Sequence, residues 1–240
     1  MDMRNKPPLV NGVLVPYGAS TADLVNLIDN MPHMRTAAFT ALAYSSEPSS
    51  LDAILAYVDS TDWTVRRVAL HALSHHEKAH FFEERITGYL ADPSEYVVRT
   101  ACQIVERLGL RSAHERVLSL LRNSQESTRR YAVRALTSIW QITDFEPVLN
   151  CFRQDPSPSV RKEAAWTLAQ HVTAENWQVL FDIWKADPIP RHRVHACEIA
   201  QEFGGIDCME GLRALAADPD GHVRKAAQRA IESITHHRRK

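Results

Sequence analysis

The stretch His76-Glu77-Lys78-Ala79-His80 reads H-E-x-x-H, an order that on one helix sets two imidazoles a turn apart as zinc ligands beside a glutamate base. With His71 and His75 it concentrates four histidines in ten residues, so His71, His75, His76 and His80 are the candidate metal-binding positions. Its context does not suit a metallopeptidase. An apolar-periodic segment ends just before it at Leu73 and the next helix is expected at Phe81-Phe82, so the motif is expected to span a turn. No third ligand stands at a fixed spacing, and the chain has no glycine-rich phosphate loop, G-x-S-x-G turn or C-x-x-C pair. No catalytic residue and no cofactor is assigned, and the reading leans away from an enzyme.

A second set of chemistry-bearing residues is cationic and periodic. Arginines recur at Arg35, Arg66, Arg99, Arg129, Arg161, Arg193 and Arg224, separated by 31, 33, 30, 32, 32 and 31 residues. Three residues after each stands a small side chain: Ala38, Ala69, Cys102, Ala132, Ala164, Ala196, Ala227. Six or seven residues before each comes a turn-forming residue: Asp29, Asp59, Asp92, Asn123, Asp155, Asp187, Asp218. The last copy is the clearest. Asp218-Pro219-Asp220-Gly221 cannot continue a helix, and Val223, Ala226, Ala227, Ala230 and Ile231 then form one helical stripe. Room for a shorter helix precedes each turn, so each unit is expected to be a helical hairpin. One such unit cannot enclose a core, and its apolar faces must be buried by its neighbours.

The pattern Asp-Pro-x-x-x-Val-Arg-x-x-Ala, seen at Asp155 to Ala164 and again at Asp218 to Ala227, resembles the HEAT repeat, in particular the short HEAT-like repeat of phycobilisome lyases. The resemblance runs from Asp29 to Ile231. It implies an all-α fold, an α-solenoid or right-handed superhelix of about seven HEAT-like hairpins, whose second helices line the concave surface. HEAT-type deoxyhypusine hydroxylases bind iron through symmetric His-Glu pairs. Here only His76-Glu77 and His114-Glu115 occur, at different offsets from their arginines, so that arrangement is not repeated.

The repeated arginines, with Asp155, Asp187 and Asp218, are expected to form a structural ladder tying turns together. Binding residues are sought one position and one further turn beyond the ladder, where Arg67, Arg130, Arg134, Lys162, Lys225 and Arg229 make a partly basic row and Thr100 stands in the third copy. Lys and Arg total 28 against 29 Asp and Glu, so no global field draws nucleic acid or a membrane, and any charged site is local. The partner implied is another protein or peptide with an acidic surface; nucleic acid is disfavoured. The function read here is a non-enzymatic protein-binding scaffold or adaptor. The alternative implied by the resemblance is a bilin lyase or bilin-handling chaperone subunit acting on phycobiliproteins, and a remote one is a metal-dependent enzyme at His71 to His80.

Residues 1–20 are expected to form an extended strap over the first unit, 21–235 the repeat domain, and 236–240 a basic tail. Capping boxes are expected at Ser20/Asp23, Ser49/Asp52, Ser112/Glu115 and Asp207/Glu210, and left-handed helix ends at Gly109 and Gly204-Gly205. The five tryptophans are expected mostly in the core, with Trp140 the exception to watch. Cys102, Cys151, Cys197 and Cys208 lie within helical patterns, which suits buried thiols. With neither a signal peptide nor a membrane span in the sequence, a cytoplasmic location is expected.

Overall fold

A computed structural model of the chain describes residues 18–237, and among these all regular structure is helical. The described residues form fourteen α-helices, and in every hairpin after the first the second helix is the longer. The first members of the hairpins are α1 (Thr21–Asn30), α3 (Ser49–Leu55), α5 (Glu83–Gly88), α7 (His114–Ser119), α9 (Phe145–Gln154), α11 (Trp177–Trp184) and α13 (Met209–Leu215). The second members are α2 (Arg35–Ala43), α4 (Trp63–His75), α6 (Glu95–Leu108), α8 (Glu126–Ile139), α10 (Pro158–Gln170), α12 (Pro190–Phe203) and α14 (Gly221–His237). The chain falls into two compact units, one up to Ala164 and one from Ala165 onward, with the division inside α10. In the first unit, second helices stack in succession, α2 on α4, α4 on α6 and α6 on α8; in the second, α12 packs on α14. Most of the expected strap and the last three residues of the expected basic tail lie outside the described residues.

The close approach of these helices follows from a row of alanines. Ala38, Ala69, Ala101, Ala132, Ala164, Ala196 and Ala227 are all fully buried. Around them Leu42, Leu70, Leu73, Ile104, Leu136 and Leu168 fill the core, each contributing roughly 1.5–3 kcal/mol by leaving water. The third member of the alanine row is Ala101 and not Cys102, which shifts the expected register by one in α6.

The arginine ladder has the same shift. In α4, α8, α10, α12 and α14 the fourth helical residue is an arginine whose Nη1 donates to the carbonyls six and five residues back. Arg66 reaches Ser60 (2.7 Å) and Thr61 (3.0 Å), and Arg129 reaches Asn123 (2.9 Å) and Ser124 (3.1 Å). Arg161, Arg193 and Arg224 clamp their own turns in the same way. Three of these arginines also fork onto the acid of the following turn. Arg66 Nε and Nη2 donate to Asp92 (3.0 and 2.9 Å), Arg129 to Asp155 (2.8 and 2.9 Å) and Arg193 to Asp218 (2.7 and 3.0 Å). Each of these acids also accepts the backbone N–H two residues on, at Ser94, Ser157 and Asp220, so one carboxylate closes its own turn and holds the preceding hairpin.

Two copies depart from this rule. In α6 the fourth residue is Val98, which is buried, and the matching acid is replaced by Asn123, whose Oδ1 only caps Gln125 N at 2.8 Å. Arg99 therefore lies outside the ladder, contrary to expectation, and donates no hydrogen bond to any described residue. In the first copy Arg35 Nε donates to the Ile28 carbonyl at 2.9 Å and Nη1 approaches Asp62 at 3.7 Å without a fork. Asp59 serves another purpose, accepting from Tyr89 Oη at 2.5 Å and pairing with Arg85.

Several local expectations need correction. The capping box forms at Ser20/Asp23, but Ser49 already lies inside α3, and Ser112 and Asp207 sit within the 3-10 turns that lead into α7 and α13. Those turns give the first helical N–H groups backbone partners and leave no place for a side-chain cap. Gly109 is left-handed (φ 63°) as expected. Gly204 is not (φ −79°); a Cβ there would run into the Ala200 carbonyl and Cys208 Sγ, so close approach is what demands glycine. Of the tryptophans only Trp184 is fully buried, while Trp63 and Trp166 are exposed. The four cysteines are free and buried, and burial raises all four thiol pKa values, Cys102 and Cys197 to about 12. No helix among the described residues is long and apolar enough to cross a membrane.

The Arg129–Asp155 pair is largely shielded from solvent, with side chains 11% and 5% exposed, whereas Arg134–Glu106 is at the surface, at 49% and 28%. Arg129→Ala is expected to lower unfolding free energy by about 3 kcal/mol, because it strands a desolvated carboxylate. Arg134→Ala is expected to cost under about 1 kcal/mol. Urea denaturation of both variants checks this, and equal losses would contradict a ladder that carries stability.

Candidate functional site

With the register corrected, the second-helix face of the first unit becomes a lattice. One position after the ladder stand Thr36, Arg67, Arg99, Arg130 and Lys162; one turn further, Thr40, His71, Gln103 and Arg134; another turn on, Tyr44, His75 and Arg107. The last row confirms the register directly, since Tyr44 Oη lies 3.2 Å and Arg107 Nη1 2.6 Å from His75 Nδ1. Arg107 also donates to the Ser74 carbonyl at the end of α4. Arg99 thus belongs to the basic row, where Thr100 was expected; Thr100 is buried and bonds the Tyr96 carbonyl.

The face is electropositive in a way that net charge hides. Arg67, Arg99 and Arg130 occupy the same register on the successive helices α4, α6 and α8, with Lys162 at that register on α10. None of the four makes an ion pair within the described residues. Arg134 differs, its Nε donating to Glu106 at 3.0 Å. Burial pushes the carboxyl of the half-buried Glu163 up despite the opposing charges of Arg134 and Arg130. Around His71 and His75 of α4 the neighbouring charges are cationic. Desolvation, then Arg107 and Arg67, lowers the His71 pKa, and desolvation, then Arg107 and His71, pushes His75 down to about 4.

An aromatic run borders this row. Trp63, at the start of α4, stacks on Tyr96 of α6 with centroids 4.7 Å apart and planes 19° apart. The Arg99 guanidinium lies 5.2 Å from the centroids of both Tyr96 and Tyr131, and Arg130 lies 5.1 Å from Tyr131. Such contacts replace hydrogen bonds in fixing the Arg99 side chain, while its Nε is buried with no acceptor. Trp63 and Tyr96 are 38% and 44% exposed, leaving part of this run open to a partner.

The remaining expected site residues lie elsewhere. Lys225 and Arg229, in the second unit, line a cavity of about 780 Å³ between α12 and α14 together with Arg191, Glu198, Asp220 and Glu232, so their charge is balanced locally. The H-E-x-x-H motif is not carried on one helix. His76 caps the C-terminus of α4, is buried, and accepts from Lys78 N at 3.2 Å. His80 follows in a separate 3-10 turn, so the two are not a turn apart on one helix. Among the described residues no three His, Cys, Asp or Glu side chains gather as ligands. His114, set aside at the sequence level, is buried with its Nε2 2.8 Å from Asp144 Oδ1; burial opposes its charge, but Asp144 and Glu115 leave its pKa raised. No periodic signal marks that pair in the sequence.

His75 sits between Tyr44, His71 and Arg107 and is neutral at neutral pH. Since its folded pKa is about 4 against an ordinary 6.5, the unfolded chain takes up a proton between those values while the folded chain does not, so stability falls as pH drops through that window. Melting temperatures measured from pH 7 to pH 4 are expected to decline less steeply in His75→Gln than in the wild type. Parallel declines would show that His75 makes no such contribution.

Among solved structures, the chain is similar in fold to an archaeal HEAT-like repeats protein from Thermococcus onnurineus NA1, with TM-score 0.56 and 12% identity over 92% of this chain and 99% of that one. An engineered protein matches with TM-score 0.56 and 20% identity over 90% of this chain and 68% of that one. The complex of CpcE and CpcF of phycocyanin lyase from Nostoc sp. PCC7120 matches with TM-score 0.53 and 18% identity over 96% and 93%. At such identities the likeness concerns fold alone. No curated protein matches. The family model for HEAT repeats matches residues 83–169 and 145–232, which together span more than half of the sequence, and the chain therefore belongs to the HEAT-repeat family.

Proposed function

We propose that this protein is a binding scaffold that takes an acidic segment of a partner protein across the second-helix face of its first unit. The observation that supports this is the row Arg67, Arg99 and Arg130, three cations at one register none of which forms an ion pair among the described residues, with Lys162 at that register on α10. Unit charges about 8–10 Å apart, the spacing of packed helices, repel by roughly 0.4–2.1 kcal/mol per neighbouring pair, depending on effective dielectric. A ladder a few ångströms away pairs its own arginines with aspartates, so the chain can satisfy arginines in this fold and leaves this row unsatisfied. An acidic segment relieves the repulsion, and rigid helices hold the cations in place without further ordering cost.

Resemblance to phycobilisome-lyase repeats also raises bilin handling. Its support is fold likeness, and no residue at this face has an assigned part in bilin chemistry, so it enters as an arm of the test. A fluorescein-labelled octaglutamate peptide is expected to bind the wild-type chain, weakening as salt screens the row. The double variant Arg99→Glu/Arg130→Glu is expected to reduce affinity at least about tenfold with unchanged melting temperature, because neither side chain donates a ladder hydrogen bond. Unchanged affinity would dispose of this face. A visible absorption band retained by the chain after incubation with a bilin would favour the tetrapyrrole reading instead.

A further inference from the structure

The scaffold reading leaves open what kind of acidic segment the face fits, and the spacing of its cations narrows this. Stacked helices advance by about 8–10 Å per repeat. A polyproline II strand has three residues per turn and rises 3.1 Å per residue, so every third side chain returns to the same face after about 9.3 Å. An α-helix matches less closely, because its side chains return to one face every 5.4 Å or so and two turns advance about 10.8 Å. The aromatic run beside the row agrees with the same conformation: Trp63 stacked on Tyr96, followed by Tyr131, offers partly exposed rings of the kind on which proline-rich strands lie.

Arg99 is the fixed point in this surface. It is held between Tyr96 and Tyr131, its Nε is cut off from solvent without an acceptor, and its guanidinium donates to no described residue. The ladder arginines show that a guanidinium in this fold takes one carboxylate through two parallel bonds; with Nε closed off, Arg99 has its Nη1 and Nη2 groups left to offer a partner. Local acids are engaged elsewhere. Glu95 accepts from Ser127 Oγ at 2.9 Å and Glu106 is paired with Arg134.

We propose that the partner segment is a proline-containing acidic strand in polyproline II conformation, carrying a carboxylate at every third residue to meet Arg67, Arg99 and Arg130, with Arg99 as its anchor. This rests on the scaffold reading above. The strand runs across the helices, its carboxylates on the cations and its prolines against Trp63 and Tyr96.

Fluorescence anisotropy with the full chain separates the two levels. The probes are fluorescein-labelled (Glu-Pro-Pro)3, a nonapeptide of the same composition with its glutamates in one block, (Lys-Pro-Pro)3, and a dT9 oligonucleotide. The periodic acidic peptide is expected to bind at least about tenfold tighter than the block peptide, and the lysine peptide not at all. Arg99→Lys keeps the charge but loses the fork and the stacking, and is expected to weaken the periodic peptide about tenfold with an unchanged melt. Equal affinity for periodic and block peptides, or for wild type and Arg99→Lys, overturns the strand and its anchor while leaving a general acidic scaffold standing. Tighter binding of dT9 than of any peptide overturns the proposal in favour of nucleic acid. Binding of no acidic peptide overturns both readings.

Discussion

The fork between a turn arginine and the aspartate of the next turn is the interaction on which this architecture depends. A hairpin of about thirty residues has too little core to stand alone, and apolar contact between hairpins is non-directional. The arginine supplies direction. Its Nη1 fixes the turn it belongs to, its Nε and Nη2 fix the turn that follows, and the shared carboxylate closes that turn through its own N–H acceptor role. Where the fork is intact, at Arg66, Arg129 and Arg193, repeat phase is set by hydrogen bonds as well as by the buried alanine row.

The same device explains why its one clean interruption is informative. In α6 both halves are missing, with Val98 for the arginine and Asn123 for the acid. A lone arginine or a lone acid would leave a desolvated charge, and replacing both avoids that penalty. The arginine next to the gap is then free to face outward with the binding row. Tyr96 and Tyr131 hold it without hydrogen bonds, so it keeps its donors for something outside the chain.

The hairpins, their number, the small-residue row and the turn acids were legible in the sequence because each repeats, and repetition reveals phase even where any single copy is ambiguous. Phase errors arose where identity and position disagreed. Arg99 is the right residue type one place too late, and matching on arginine alone put it in the ladder and Cys102 in the alanine row. The uniform 31 or 32 residue spacing obtained with Val98 was the available signal. Non-repeating features were not legible: the His114–Asp144 pair, the place of Trp63 on the surface, and the pairing of Arg134 with Glu106 depend on which helices meet. The capping boxes at Ser112 and Asp207 failed because both residues fall within 3-10 turns that satisfy the same donors, and the one at Ser49 because α3 already begins at that residue.

The most direct measurement is the side-chain Nε–Hε spectrum of the arginines, recorded on the full chain with and without the (Glu-Pro-Pro)3 peptide. Arg66, Arg129 and Arg193 should appear downfield, as donors to carboxylates, and should not respond to the peptide. Arg99 should appear upfield, shielded by two tyrosine rings, and its signal should shift as the peptide engages the Nη groups of the same guanidinium. An Arg99 signal that sits with the ladder arginines and ignores the peptide would contradict the account.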